Sequence, residues 1–149
     1  MLKFNQKTSE SLNPETTLTL TFDQRNKSRL KATLDDGRDV GIVLENGQYL
    51  ENNDVLISDD SKVLIQIKAA LETVSTVVSG DPLQLARACY HLGNRHVSVQ
   101  ITADFIRYQH DHVLDDMVKG LDLEVKVEQA PFEPEAGAYH TKAHHGHAH

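Results

Sequence analysis

The first half of the chain alternates hydrophobic and polar residues with a period of two, in short runs separated by turn residues. Such alternation is typical of strands that bury one face, and Asp-Gly or Asn-Gly favours a tight hairpin turn between them. Turns are expected at residues 35–38 (DDGR) and 46–47 (NG). Strands are expected at residues 17–22, 28–34, 40–45, 54–58 and 62–68. We therefore predict a β-rich domain of antiparallel strands over residues 1–70.

From residue 71 onwards, strand-like and helix-like periods alternate. Asp81 followed by Pro82 predicts the start of a helix, because Asp caps well and Pro is tolerated at the first helical position. Gly93 with Asn94 should end that helix, and Gly120 should close a second one over residues 111–119. Strands are expected at residues 71–78, 97–101, 103–109 and 121–129. The order β-α-β-β-α-β predicts a ferredoxin-like domain over residues 71–130, so the fold class is α+β.

Both predicted helices carry apolar residues at spacings of three and four, which we expect to face the sheet. The first helix has two such rows: Leu83, Ala86 and Tyr90, and Leu85, Cys89 and Leu92. The second has one face made of Val113, Leu114, Met117, Val118 and Leu121. We interpret Cys89 as a core thiol rather than a nucleophile, since it lies on an apolar row.

Residues 131–149 (PFEPEAGAYHTKAHHGHAH) contain two prolines, many small residues and no periodicity, and this composition predicts a disordered tail. Five of the nine His fall in its last ten residues: His140, His144, His145, His147 and His149. Neutral imidazole is a good ligand for nickel, copper and zinc. Because the run is interrupted by Ala and Gly, we interpret it as a natural metal-binding segment rather than an expression tag.

Composition and missing motifs exclude several classes of partner, metal site and activity. A net charge of −7 and only eight aromatic residues make nucleic acid and anionic membranes poor partners. A single Cys rules out an internal disulfide, a four-Cys zinc site and an iron–sulfur cluster. No apolar segment resembles a signal peptide or membrane span, so we expect a soluble, cytoplasmic protein. Neither HExxH nor a Gly-rich phosphate loop is present, and we expect no enzymatic activity.

Four further His lie in the predicted folded domain. His91 falls in the last turn of the first helix, where a solvated His is common. His96 follows the helix stop, on a loop at the rim of the domain. His110 and His112 flank Asp111: in an extended segment both rings would point to one side and could form a ligand pair, whereas a polar helix entry with Asp111 as N-cap is equally compatible.

The segments DPLQLARACYHLGNRH (81–96) and RYQHDHVLDDMVKG (107–120), the two-part layout and the His-rich end together resemble the UreE family of urease accessory metallochaperones. The resemblance implies a homodimer whose N-terminal domain is similar to chaperone peptide-binding modules. It also implies a C-terminal domain that binds Ni(II) and delivers it to apo-urease with the accessory GTPase UreG and the proteins UreD and UreF.

The resemblance also implies a set of metal ligands. His96 matches the His that meets its symmetry mate across the dimer axis and shares one ion with it, so that a two-fold axis turns one His per chain into a pair. His110 and His112 resemble further ligand positions, and the tail His, including His144, His145, His147 and His149, match the family's His-rich extension.

A site of two imidazoles, completed by water, a tail His or a partner's side chain, is open and exchangeable, as a metal carrier requires. Such a site should also take Cu(II) and Zn(II) in vitro, and its affinity should fall below about pH 6 as imidazoles protonate. Two other functions stay open: a storage or buffering protein whose tail sequesters metal, and an interaction adaptor in which the β-rich domain is the active part.

Overall fold

The computed structural model describes residues 1–9 and 13–137, which divide into two compact units, residues 1–70 and residues 71–137. The elements of the first unit are β1 (Leu2–Thr8), β2 (Thr16–Leu20), α1 (Phe22–Arg25), β3 (Arg29–Thr33), β4 (Asp39–Val43), β5 (Val55–Ser58) and β6 (Leu64–Ala69). Its six strands form one sheet in the order β2-β6-β5-β1-β4-β3. Strand residues that alternate along the chain, among them Phe4, Leu18 and Ile42, are buried in its core.

The strand positions in this unit were largely predicted, but the pairing was not. β1 pairs with β4 and β2 with β6 in parallel, so the expectation of antiparallel strands alone is wrong. A period of two is the same in both kinds of pairing and does not report direction. The turn at Gly47 has the expected positive φ of 86°, yet it joins no hairpin, because β1 lies between β4 and β5.

The end of the second predicted strand is also different. Phe22 starts the short helix α1 rather than continuing the strand. The Thr21 hydroxyl accepts the Gln24 backbone N–H, and the Gln24 side chain accepts the Thr21 N–H. This reciprocal capping box satisfies two amide donors and so favours a helix start over a further strand residue.

The second unit contains β7 (Leu71–Val78), α2 (Pro82–Asn94), β8 (Gln100–Ile101), β9 (Phe105–Gln109), α3 (His112–Lys119) and β10 (Lys126–Pro131). The order of elements is the predicted β-α-β-β-α-β. Its sheet is antiparallel throughout, in the order β10-β7-β9-β8. Side chains of both helices and of β7 and β9 share one core, which includes Leu92, Val118, Val77 and Tyr108.

The predicted helix faces are confirmed in part: Cys89 on α2, Met117 on α3 and Leu121 just after α3 pack against the core as expected. On α2 the row of Leu85 and Leu92 is buried, whereas Leu83 and Tyr90 of the other row are 57% and 67% exposed. On α3 Val113 is half exposed, and its neighbour Asp115 is buried in the face that Leu114 and Val118 form. Apolar spacing alone does not show that a carboxylate on the same turn has partners inside the domain.

Strand lengths in this unit are shorter than expected. Only Gln100–Ile101 of residues 97–101 is a strand, and β10 starts at Lys126 rather than at residue 121. Leu121 and Leu123 instead pack on the core around a turn in which Asp122 has a φ of 63°. The apolar alternation there comes from packing of a loop, which periodicity cannot distinguish from a strand.

The predicted tail begins too early. Pro131 is the last residue of β10, and Phe132 is fully buried. A Pro is acceptable there because β10 is an edge strand, and burying a phenyl ring stabilises the segment that carries it. Residues 132–137 therefore belong to the second unit, and the expectation of disorder from residue 138 onwards lies outside the described residues. In the described part of the chain, no helix has the length and apolar character needed to cross a membrane.

Candidate metal centre

His96 occupies a specialised position at the end of α2. The helix ends at Asn94, Arg95 is the C-cap, and His96 has a φ of 59° in the left-handed region. The His96 N–H donates to the Gly93 carbonyl at 2.9 Å, and the Val97 N–H donates to the Leu92 carbonyl at 3.1 Å. These two bonds form a Schellman motif, in which the left-handed position is usually taken by Gly.

The conformation of His96 carries an energetic cost that a Gly would avoid. A side chain in the left-handed region costs roughly 1–2 kcal/mol per residue. Backbone strain of this kind concentrates at functional sites, where the surrounding structure maintains it. The His96 residue is exposed, which confirms the predicted loop position at the rim of the domain. The helix ends later than predicted. Gly93 and Asn94 are still helical, and His96 adopts the left-handed conformation that ends α2.

A surface groove of about 400 Å³ lies beside His96. Its lining includes Cys89, the segment that follows His96, and residues 135–137. The Glu135 N–H donates to the Val99 carbonyl at 2.8 Å and so holds residues 135–137 against the segment that follows His96. Burial raises the pKa of the Cys89 thiol, which favours its neutral form and agrees with its interpretation as a core thiol.

His110 and His112 lie at the junction of β9 and α3. Asp111 is the N-cap of α3, and its carboxylate accepts the N–H groups of Val113 at 2.8 Å and Leu114 at 3.2 Å. This confirms the helix-entry interpretation of the HDH segment. His112 is the first residue of α3, and both His110 and His112 are exposed.

The His110 ring is attached to a buried polar network that sequence reasoning missed. Its Nδ1 atom lies 3.1 Å from a carboxylate oxygen of Asp115 and 3.1 Å from the Ser75 hydroxyl oxygen. The other Asp115 oxygen accepts the Tyr108 hydroxyl at 2.6 Å. Burial, followed by the bond to Asp115, raises the pKa of Tyr108 far above its usual value. Ser75 and Tyr108 are fully buried, and Asp115 is 5% exposed.

A partial signal for this network exists in the sequence. Tyr108 follows Ile106 by two residues and so shares the buried face of β9, and a buried Tyr hydroxyl needs a partner. Asp115 precedes the apolar Val118 by three residues, which places a carboxylate on the buried face of α3. Ser75 gave no signal of its own.

The described residues do not bring the predicted ligands together into one closed site. Across residues 1–9 and 13–137, no three His, Cys, Asp or Glu side chains lie close enough to share an ion. His91 is exposed in the last turn of α2, with its ring edge-on to Tyr90 at 5.2 Å. The tail His, namely His140, His144, His145, His147 and His149, lie outside the described residues.

Comparisons with known proteins cover the whole of both units. Residues 5–70 match the model of the UreE urease accessory protein, N-terminal domain, and residues 72–149 match that of the C-terminal domain. The chain is 56% identical to the urease accessory protein UreE of Alkalilimnicola ehrlichii, over 93% of this chain and 85% of the relative. It is 59% identical to that of Pseudomonas putida strain GB-1, over 88% of this chain and 79% of the relative. Identity to the Citrobacter koseri protein is 50% over the full length of both chains. The chain therefore belongs to the UreE family of urease accessory proteins.

Proposed function

We propose that this protein is a nickel metallochaperone that takes part in urease maturation, carrying Ni(II) and donating it to apo-urease. The observation that carries the proposal is His96, an exposed imidazole in a left-handed conformation that a Gly would adopt at lower cost. Two relatives that are 56% and 59% identical over the aligned residues are named urease accessory protein UreE. The family role and the costly His together favour an imidazole retained for metal binding.

A homodimer would convert the single His96 into a pair of ligands. A two-fold axis brings the same residue of two chains together, so two imidazoles would face one ion. The row of Leu83, Ala86 and Tyr90 on α2 supports association, because large apolar side chains remain exposed there on the helix that leads to His96. Tyr in particular is enriched at protein interfaces. We propose that this row contributes to the contact between the two copies.

A further candidate ligand follows the groove beside His96 by a few residues in the sequence. Gly137 lines the same groove as His96, and His140 is three residues further on. Three residues span at most about 11 Å, so covalent geometry permits the His140 imidazole to approach the ion held by His96. The more distant His144, His145, His147 and His149 can add sites or exchange ions. We propose that His110 and His112 supply a separate, peripheral set of ligands.

The donor set fits Ni(II) as cargo. Imidazole is a borderline ligand that suits nickel, copper and zinc, so Cu(II) and Zn(II) should bind in vitro as well. Selectivity would then come from metal supply and from recognition of the client. We propose that the N-terminal unit contributes to contacts with apo-urease or with UreG, UreD and UreF.

Equilibrium dialysis of Ni(II) tests the metal assignment. A chain truncated after Tyr139 keeps every described residue and removes the tail His. At the His96 pair it should bind about one ion per two chains, in addition to any ion held by His110 and His112. His96→Ala in this background should remove the ion at the pair and leave the other binding unchanged. His91→Ala, an exposed imidazole in the last turn of the same helix, is the matched control and should bind as the parent does. Equal binding by the His96 variant would refute the assignment.

Urease assembly tests the delivery step. In cells that lack the native protein and grow on limiting nickel, the wild-type chain should restore urease activity and His96→Ala should not. Excess nickel should rescue the variant, because supply then replaces delivery, whereas it would not rescue a misfolded chain. Failure of the wild-type chain to raise urease activity at limiting nickel would refute delivery.

Dimerisation has its own test. Tyr90→Glu should shift the chain towards monomers in sedimentation velocity, because a charge replaces a 67% exposed aromatic side chain at the proposed contact. Val43→Glu, at a 41% exposed position in the first unit, is the matched control and should leave the mass unchanged. A monomeric wild-type chain, with or without Ni(II), would contradict the shared site.

Metal buffering is the second candidate function, and the five His among the last ten residues favour it. A buffer would bind several ions per chain and would not need His96. If the truncated chain bound no Ni(II) while the full chain did, the tail would account for the metal binding and buffering would become the better conclusion.

A further inference from the structure

The buried network behind His110 has the arrangement of a ligand and its support. His110 lies at the surface, with 36% of its side chain exposed, whereas the side chain of Asp115 is 6% exposed. Each Asp115 oxygen has its own partner: Oδ1 accepts the Tyr108 hydroxyl at 2.6 Å, and Oδ2 lies 3.1 Å from His110 Nδ1. Asp115 is thus committed to two neighbours inside the domain.

The chemistry of these atoms fixes which His110 nitrogen carries the proton. A carboxylate oxygen carries only lone pairs, so it would repel a lone pair on Nδ1 at 3.1 Å, and Nδ1 therefore carries the proton. The nearby Ser75 oxygen, also 3.1 Å from Nδ1, can accept the same N–H. In a neutral imidazole with Nδ1 protonated, Nε2 holds the free lone pair. The network therefore selects one of two tautomers and orients the ring.

We infer that Asp115 is a positioning residue that holds His110 in the Nδ1–H tautomer and presents Nε2 as the metal-binding nitrogen. The inference rests on the proposed role of His110 as a nickel ligand. Carboxylates that accept the second N–H of a ligating His fix its tautomer and raise its basicity, and their loss costs about 10- to 100-fold in metal affinity. Asp115 itself is unsuited as a ligand, because both of its oxygens are engaged below the surface.

Histidine-selective ¹⁵N NMR on the full-length chain tests this inference. At neutral pH the His110 signals should show Nδ1–H in the wild type, and added Ni(II) should broaden them. Asp115→Asn should allow both tautomers, because an amide can accept from Nδ1 through its oxygen or donate to it through its nitrogen, and it should raise the Ni(II) concentration needed for broadening by about 10- to 100-fold. Tyr108→Phe is the matched control, since it removes the other bond to Asp115 and leaves the His110 contact in place.

The outcomes separate the inference from the function on which it rests. An Nε2–H tautomer in the wild type would overturn the inference. The predicted tautomer without any effect of Ni(II) on His110 would remove both His110 as a ligand and the positioning role, while His96 and delivery could still stand. Equal weakening of Ni(II) binding by Tyr108→Phe and Asp115→Asn would indicate a general structural effect and would also overturn it.

The wild type alone decides the question if Asp115→Asn does not fold. Ni(II) bound at Nε2 leaves the proton on Nδ1, shielded by Asp115 and Ser75. A strongly shifted, slowly exchanging N–H proton signal from His110 is then expected in the nickel complex. Absence of that proton signal in a complex whose His110 carbon-bound protons are shifted would place the metal on Nδ1 and refute the inference.

Discussion

Replacing His96 by Gly should stabilise the second unit while abolishing the nickel binding proposed for it. His96 occupies the left-handed position of the Schellman motif that ends α2, with a φ of 59° and its N–H bonded to Gly93. Gly adopts this conformation without a steric cost, whereas a side chain costs roughly 1–2 kcal/mol. Gly also loses more backbone entropy on folding, which offsets roughly half of the gain. The expected net effect is about 0.5–1 kcal/mol in favour of the folded state.

His96→Ala is the informative comparison, because Ala also lacks the imidazole but keeps a Cβ in the left-handed region. Its free energy of unfolding should lie about 0.5–1 kcal/mol below that of His96→Gly. For a unit of this size, 1 kcal/mol corresponds to about 4–8 °C in melting temperature. Both variants should lose the same Ni(II) binding, since the ring is absent from both.

Thermal and urea unfolding, followed by circular dichroism with a chelator present, would measure these differences. The chelator is needed because bound metal would stabilise the wild type alone. A His96→Gly variant no more stable than His96→Ala would refute the argument that His96 is retained at an energetic cost. Gains in stability that accompany loss of function are expected where a functional residue occupies a strained position.

Other predictions concern the supports of this unit and its titratable groups. Asp111→Ala should cost about 1 kcal/mol in urea unfolding because two amide donors lose their cap, while Asp111→Asn should cost only a few tenths; equal effects would contradict the cap. Phe132→Ala should lower the free energy of unfolding by about 3–5 kcal/mol; a change near zero would indicate that the tail begins at residue 131, as the sequence predicted. Cys89 should react with a disulfide reagent more slowly than free glutathione at pH 8, because burial raises its thiol pKa, and urea should abolish the difference. The Thr76 hydroxyl holds the pKa of Glu128 below its usual range, so the ionised Glu128 stabilises the fold at neutral pH, and this stabilisation is lost as pH falls through the lowered pKa. Glu128→Gln should therefore weaken the acid dependence of the free energy of unfolding.

Sequence periodicity located most elements of the fold but not their partners. The strand predicted over residues 71–78 is β7, and the helix start predicted at Asp81 is the N-cap of α2. Both depend on the residues of the segment itself. The alternation of apolar and polar residues does not encode which strands are neighbours in the sheet or their direction. It therefore could not predict the parallel pairing of β1 with β4. The first strand lay in a segment without strict alternation, so its central place in the sheet was missed.

The sequence predicted which residues form the candidate site, but not the backbone conformation and buried side chains that position them. An interrupted His-rich end and a His after a helix stop are visible in sequence, and so is the Asp111 cap. The left-handed conformation of His96 was not, because Gly93 and Asn94 were the more obvious terminators and both remained helical. The role proposed for Asp115 depends on Tyr108, which lies only seven residues before it, and also on Ser75 of β7, which is distant in sequence.

His96 and His110 are presented by different physical means, and this difference would separate the metal-binding roles proposed for them. The backbone of a helix terminus holds His96, and its exposed ring gives each chain one imidazole there. Buried side chains hold His110 through Nδ1. A ligand oriented by a carboxylate binds more tightly than one held by the backbone alone. Ions at His110 should therefore leave more slowly than ions at His96 if each site supplies the same number of imidazoles. That order suits exchange with a client at the His96 pair, since a carrier must release its ion where it delivers.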